Sequence, residues 1–293
     1  MAHAKGDAVF PRAALAKTAT QAADCIRRRL GLAFRGAVAL LGEQTMTAIA
    51  SGYFPAQPRA DRQAFLLFTA LVWLGVLSGF GTDSFRHLRK FGLDYPWIVH
   101  VHAVAFVGYL VLFTTQVALI RNGRPDIHRK LGIAGAALAV VMLVLGPAAA
   151  IVVHGIRYAA TGDTPEFLAV QLTDMLGFAG LTGAGLLLRK TSSAHKRLML
   201  MGLIYISDAG FGRFLNGFAA APLGDGLAGT AVAVYLGSDL LMLGLGAYDL
   251  LTRGRLHSAY IAGLAWVLLL QATALSLLPN AAWKALTLHM IGH

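Results

Sequence analysis

Apolar stretches follow one another from Ala64 onward, each near the length of about 20 residues that a helix needs to cross a bilayer. Short polar segments separate them. The pattern predicts an all-α integral membrane protein with about seven transmembrane helices in a bundle, within a domain of residues 64–279. The predicted spans are 64–82, 97–120, 131–153, 167–188, 198–220, 230–250 and 259–279.

The chain before this domain has a different pattern. Residues 1–63 are predicted to form a cytoplasmic tail, with an amphipathic helix on the membrane surface at 32–53. Arg35, Glu43 and Gln44 interrupt that apolar run, and a charge at the centre of a bilayer helix costs about 3 kcal/mol. An eighth span at 32–53 is the alternative. No cleaved signal peptide is predicted, and residues 280–293 are predicted to be a short tail.

The distribution of Lys and Arg predicts the orientation. Of the 25 basic residues, 19 lie in the N-terminal tail and in the loops 121–130, 189–197 and 251–258, whereas five lie on the opposite side and Arg213 lies within a span. Because basic residues accumulate on the cytoplasmic side, the N-terminus is predicted inside and the C-terminus outside a bacterial inner membrane.

Composition limits the possible partners and cofactors. With 57% hydrophobic and 13% charged residues, the chain is far outside the range of soluble proteins, and the lipid bilayer is its predicted surrounding. The net charge of +11 is spread between apolar spans, so nucleic-acid binding is not predicted. Since Cys25 is the only cysteine, an intrachain disulfide and a thiolate metal cluster are excluded.

Ionisable residues within spans are costly and therefore mark candidate sites. Asp174, Asp208, Asp239 and Arg213 are of this kind. Asp174 and Arg213 come to matching depths, so one interpretation makes them each other's counter-ions. The other is a polar cavity, to which the sequence assigns Tyr109, Gln116, Gln171, Arg213, Asn216 and Tyr235.

The His-x-His pair at the start of the second predicted span cannot act as a unit on a regular helix. Residues two apart point about 200° from one another. Steps of three and four from His102 reach Tyr109 and Gln116, whereas those from His100 reach valines. His102 is therefore predicted to face the bundle, and His100 to lie at the interface.

Four histidines fall at two predicted membrane levels. His102 and His154 belong to the outer level, and His128 and His195 to the inner level. Imidazole is the usual nitrogen ligand of haem iron, and a helical bundle can hold a haem near each face, so b-type haem is a predicted cofactor. Alternatively, the basic residues beside the inner histidines bind lipid phosphates.

Two segments carry a resemblance, which covers about residues 95–215. The run from His100-x-His102 through Gln116 to His128-Arg129-x-Leu131-Gly132 resembles a broad family of uncharacterised bacterial multi-pass membrane proteins, with an H-x-H span and an HR-x-LG loop. The segment 195–199, HKRLM, is similar to an element of small membrane proteins linked to cytochrome oxidase maturation. The resemblance carries no fixed activity, but together with the two levels of histidines it motivates the hypothesis of a factor in respiratory oxidase or haem maturation.

Three functions therefore stay open. The first is a haem-binding protein in electron transfer or maturation, with respiratory-chain or other membrane proteins as partners. The second is a metal-dependent membrane hydrolase or lipid-modifying enzyme, in which His102, His154 and Asp174 bind zinc and Asp208 or Asp239 is the general base. The third is a transporter or an accessory subunit of a membrane complex.

Overall fold

The fold is given by a computed structural model, which describes residues 54, 58–215, 221–224 and 226–293. All regular secondary structure in these residues is helical. Residues 54–252 and 256–293 form one compact unit. The predicted amphipathic helix at 32–53, most of the predicted N-terminal tail and Asn216 lie outside the described residues.

Ten α-helices and two short helical turns make up the regular structure of the described ranges. A π-helical turn, Leu77–Gly81, joins the first two helices, and a 3₁₀ turn, Ala221–Leu223, comes before the eighth. The α-helices are α1 Pro58–Val76, α2 Thr82–Phe91, α3 Trp97–Arg121, α4 Pro125–Thr161, α5 Leu168–Leu187, α6 Ser192–Ile206, α7 Asp208–Leu215, α8 Leu227–Arg253, α9 Ser258–Leu277 and α10 Ala281–Met290.

Five helical segments in the described ranges are long and apolar enough to cross a membrane. They are α3, α4, α8, α9 and the continuous stretch Arg59–Phe91, which contains α1 and α2. Helices α6 and α7, bent by 42° at their junction, make a sixth if they count as one broken span. The described residues thus contain several helices that could span a membrane, as a multi-pass membrane protein requires, and the number of seven spans stays a prediction.

Helix α5 covers the predicted span 167–188 but is not among these segments. Gln171, Thr173 and Asp174 lower its mean hydropathy. Most of its side chains are buried because α4, α6 and α9 pack around it. A helix surrounded by other helices meets little lipid, so it can carry polar groups that a lipid-facing span cannot.

Several helices extend beyond the predicted spans. Helix α2 lies within the predicted loop 83–96, α4 continues to Thr161, and α10 lies in the predicted tail 280–293. The 37 residues of α4 make a rod of about 55 Å, longer than the hydrocarbon core of about 30 Å. Hydropathy marks only the part of a helix that lies in hydrocarbon, so these polar extensions were not predicted.

Close backbone packing holds the short helix α7 against the π-helical turn. Gly79 lies against the carbonyl oxygen of Gly210, and Gly75 lies against the ring of Phe211. On the other side of α7, Gly237 of α8 contacts Phe211. A side chain at any of these positions would collide with a neighbouring helix. Because glycine has no Cβ, α7 can pack between α1 and α8.

A methyl group at Gly79 should therefore destabilise the fold. Gly79→Ala places its Cβ against the Gly210 backbone, which cannot move aside as a flexible side chain does. We expect a loss of about 1–3 kcal/mol, measured as a lower thermal midpoint in detergent. Gly81→Ala is the matched control, because its Cβ has no neighbour within 4 Å in the described residues. Equal midpoints for the two variants would contradict this packing.

Candidate functional sites

The structure brings together one pair of the predicted histidines, His128 and His195. His128 lies in the first turn of α4 and His195 in the first turn of α6. Their ring centroids are 6.2 Å apart and the ring planes cross at 87°. Both helices begin at the end of the bundle that the charge distribution predicts to face the cytoplasm, which we call the inner end.

Hydrogen bonds define the orientation of the His195 ring. Its Nδ1 lies 2.8 Å from the carbonyl oxygen of Gly185, near the end of α5. A carbonyl can only accept, so Nδ1 donates its proton and the lone pair of Nε2 is left for another partner. In His128, Nδ1 is buried without a hydrogen-bond partner among the described residues.

Gln116 supports the turn that carries His128. Its Nε2 donates to the backbone carbonyl of His128 at 3.1 Å, and Gly132 packs closely against it. The sequence places Gln116 in a polar cavity, but in the structure it connects the end of α3 to the start of α4. It therefore acts on the histidine through the backbone.

The spacing of the two rings suits a shared metal ion. When two imidazoles bind the same metal ion from opposite sides, each metal–nitrogen bond is about 2.1 Å long. Adding the distance from each nitrogen to the centre of its ring gives about 6.4 Å between the two ring centroids. The observed 6.2 Å is close to this value. Arg129 and Lys130, the neighbours of His128, are exposed at the inner end.

A second candidate site lies deeper in the bundle, where the span formed by α6 and α7 is broken. Asp208 is the first residue of α7, and its carboxyl lies next to that of Asp174 from α5. Both side chains are buried, with exposed fractions of 1% and 7%. Asp239 of α8 interacts electrostatically with Asp208 and accepts a hydrogen bond of 2.8 Å from Gln271 of α9.

Tyrosine side chains complete this cluster. Tyr205, fully buried at the end of α6, interacts electrostatically with Asp174 and Asp208. Its hydroxyl has no hydrogen-bond partner in the described part of the chain. Its ring fits against Gly177, where a larger residue would collide with it. Tyr235, also buried, approaches the same carboxyls from α8.

Arg213 does not pair with Asp174. Its Nε lies 3.5 Å from the carboxylate of Asp83, its guanidinium lies over the ring of Phe80, and its side chain is 44% exposed. The interpretation of Asp174 and Arg213 as counter-ions is thus not what the structure shows. The bend between α6 and α7 moves Arg213 toward the start of α2, whereas a straight helix would have continued inside the bundle.

The outer histidines do not come together. His102 packs on Phe106 and lies against Leu145 of α4, whereas His154 Nε2 contacts Gln171 Oε1 at 2.9 Å. Leu145 is nine residues before His154, which is about 14 Å along the helix. A ligand shared by the two histidines is therefore not supported.

The zinc set of His102, His154 and Asp174 is not assembled either. In the described ranges, no group of three or more His, Cys, Asp or Glu side chains is arranged to hold a metal ion. Asp208 and Asp239, the predicted general bases, lie in the carboxyl cluster instead. Tyr109 packs in the core, where its ring meets Phe178 edge to face.

Buried ion pairs at the inner end were not predicted. Arg197, fully buried, donates two hydrogen bonds of 2.7 and 2.5 Å to Asp249 of α8. Its neighbour Lys196 lies 2.5 Å from Asp61 of α1, which also accepts from Tyr248 at 2.7 Å. The sequence contained a signal for these pairs. Asp61 and Asp249 are acidic residues near the ends of predicted spans, on the side where most of the basic residues lie.

No protein-family model, curated protein or solved structure matches this chain. Its candidate function therefore rests on its own residues and their geometry.

Loss of the Arg197–Asp249 pair should destabilise the bundle strongly. Asp249→Asn leaves a buried guanidinium without its carboxylate, and we expect a loss of about 3–5 kcal/mol in unfolding free energy. Asp126→Asn removes the carboxylate of an exposed pair with Arg124 and should leave the thermal midpoint unchanged. A similar small effect for both variants in detergent would show that the buried pair does not stabilise the fold.

Proposed function

We propose that this protein is a multi-pass protein of the bacterial inner membrane that binds b-type haem through His128 and His195 and acts in electron transfer or in respiratory oxidase or haem maturation. The observation that carries the proposal is the neighbouring pair of imidazoles, whose ring centroids are 6.2 Å apart at the inner end. The predicted partners are membrane proteins of the respiratory chain.

The donor set fits haem iron. His195 is held by the Gly185 carbonyl with Nε2 toward a ligand, and a bond of this kind is the usual support of a metal-binding histidine. His128 has a buried nitrogen without a partner among the described residues, which a metal would satisfy. His128 and His195, whose ring planes cross at 87°, would be the residues that hold the iron.

The surroundings suit the acidic groups of haem. The exposed side chains of Arg129 and Lys130 lie beside His128, where they can pair with propionates. Lys196 and Arg197, which follow His195, are engaged with Asp61 and Asp249 and serve the fold. When bound, haem iron supplies one-electron transfer, and the chain's own residues orient the imidazoles and set their basicity.

The resemblance of 128–132 and 195–199 to elements of multi-pass and oxidase-maturation proteins supports the same assignment. Each of the two elements contributes one histidine of the pair. The rest of each element has a structural role, since Gly132 packs on Gln116 and the basic residues after His195 bind carboxylates.

An absorbance spectrum tests this proposal. Protein purified from haem-replete cells should show a Soret band, with sharpened visible bands on reduction, and extraction should yield about one b-type haem per chain. His128→Ala and His195→Ala should each remove most of the bound haem. His102→Ala and His154→Ala are the matched controls, because the structure does not bring these histidines together.

Elution from a sizing column verifies that each variant is folded. The absence of a Soret band in the wild type, or a band that survives both inner substitutions, would overturn the proposal. Loss of haem only in the two outer variants would move the site to the opposite end of the bundle.

A further inference from the structure

We infer that Asp174 and Asp208 share one proton and form a reversible proton-binding site at the broken span, separate from the histidine pair. The site lies about 16 Å from Gly185 and about 20 Å from His195 along α5 and the α6–α7 segment. Its ligand is a proton, and the proton would be bound in the interior of the bundle.

The adjacency of the two buried carboxyls favours this proton. Two carboxylates can only accept hydrogen bonds, so the neighbouring side chains of Asp174 and Asp208 can bond to one another only if one of them is protonated. Burying two adjacent negative charges would be costly in an apolar bundle. In the described residues no Lys or Arg forms an ion pair with either carboxyl, and Arg213 on α7 is paired with Asp83.

In the described residues, the groups around the pair are tyrosines, a carboxyl and an amide, and Arg213 acts on Asp208 electrostatically without forming an ion pair with it. Tyr205 approaches from α6, Tyr235 and Asp239 from α8, and Gln271, the partner of Asp239, from α9. The buried hydroxyl of Tyr205 has no partner in the described ranges, as is also true of Asp174 Oδ1 and Asp208 Oδ2. This unpartnered hydroxyl is an independent sign that the cluster binds a ligand.

The two carboxyls differ, which lets the proton be assigned. Asp208 accepts a hydrogen bond of 2.5 Å from the backbone N–H of Ala209, at the N-terminus of α7. Such a donor favours the ionised form, as does the positive end of a helix dipole. Asp174, in the middle of a regular helix, has no comparable donor among the described residues. The proton therefore lies on Asp174, and the negative charge lies on Asp208.

The break in the span supports proton exchange at this position. Irregular backbone within a span is typical of sites that line a polar pathway, where helix ends face the transported ion. Ser207 is the single residue between α6 and α7, and Asp208 follows it directly. Asp239, which is only partly buried, offers a further carboxyl next to Asp208 for a departing proton.

Labelling with a hydrophobic carbodiimide tests the inference, because the reagent modifies protonated carboxyls inside membranes. On full-length protein in detergent, digestion and mass spectrometry should locate the label on Asp174 or Asp208. Above the titration midpoint of the pair, labelling should fall about tenfold for each pH unit. Asp249, equally buried but paired with Arg197, is the internal control and should not be labelled.

Infrared spectra give a second measurement on the wild type itself. A C=O stretching band of a protonated, buried carboxyl should be present at neutral pH, should shift in D₂O, and should be lost in Asp174→Asn. Asp163→Asn, at an exposed pair with Arg157, is the control and should keep the band. If Asp174→Asn does not fold, the wild-type band and label still decide the matter.

Absence of both the band and the label at every pH would overturn the inference, because the pair would then be ionised and held by a cation. Protection from the reagent by sodium at constant pH would also overturn it, in favour of a metal cation. His128→Ala and His195→Ala should be labelled like the wild type, so the outcome is independent of the haem proposal.

Discussion

Polar side chains in the interior of this bundle need partners within the protein, because hydrocarbon offers none. This constraint is strongest around α5 and α6, which other helices surround. Their polar groups contact the ends of helices, carboxyls of neighbouring helices or one another. The arrangement of α1, α8 and α9 around them follows from these contacts as much as from apolar packing.

The segment 195–197 shows how the need for polar partners within the protein applies to consecutive residues. Three consecutive residues contact three different helices: His195 the carbonyl of Gly185 on α5, Lys196 the carboxylate of Asp61 on α1, and Arg197 that of Asp249 on α8. Successive residues of a helix are separated by about 100°, so such a run needs neighbours around most of the circumference. A basic run of this kind at a membrane boundary also suits lipid phosphates, but Lys196 and Arg197 are used inside the protein.

The two candidate sites are separated in depth and in chemistry. The histidine pair lies at the starts of α4 and α6, where the side chains are only half buried and basic residues are near. The carboxyl pair is enclosed by α5, α6, α7 and α8 and forms no ion pair with a Lys or Arg in the described residues. The first arrangement suits an anionic, metal-containing cofactor, whereas the second suits a proton.

The sequence alone determined the all-helical class and most helix positions, including helices long and apolar enough to span a membrane, because apolar length is a local property that a window of residues reveals. It also placed His128 and His195 at one level, since both follow a basic loop. Tertiary structure decided which groups meet. Asp174 meets Asp208 and not Arg213 because the chain bends by 42° at Ser207, and the register of α3 on α4 puts His102 against Leu145, about 14 Å along α4 from His154. Bend and register depend on contacts between distant segments, such as Gly79 on Gly210, and no local pattern encodes them.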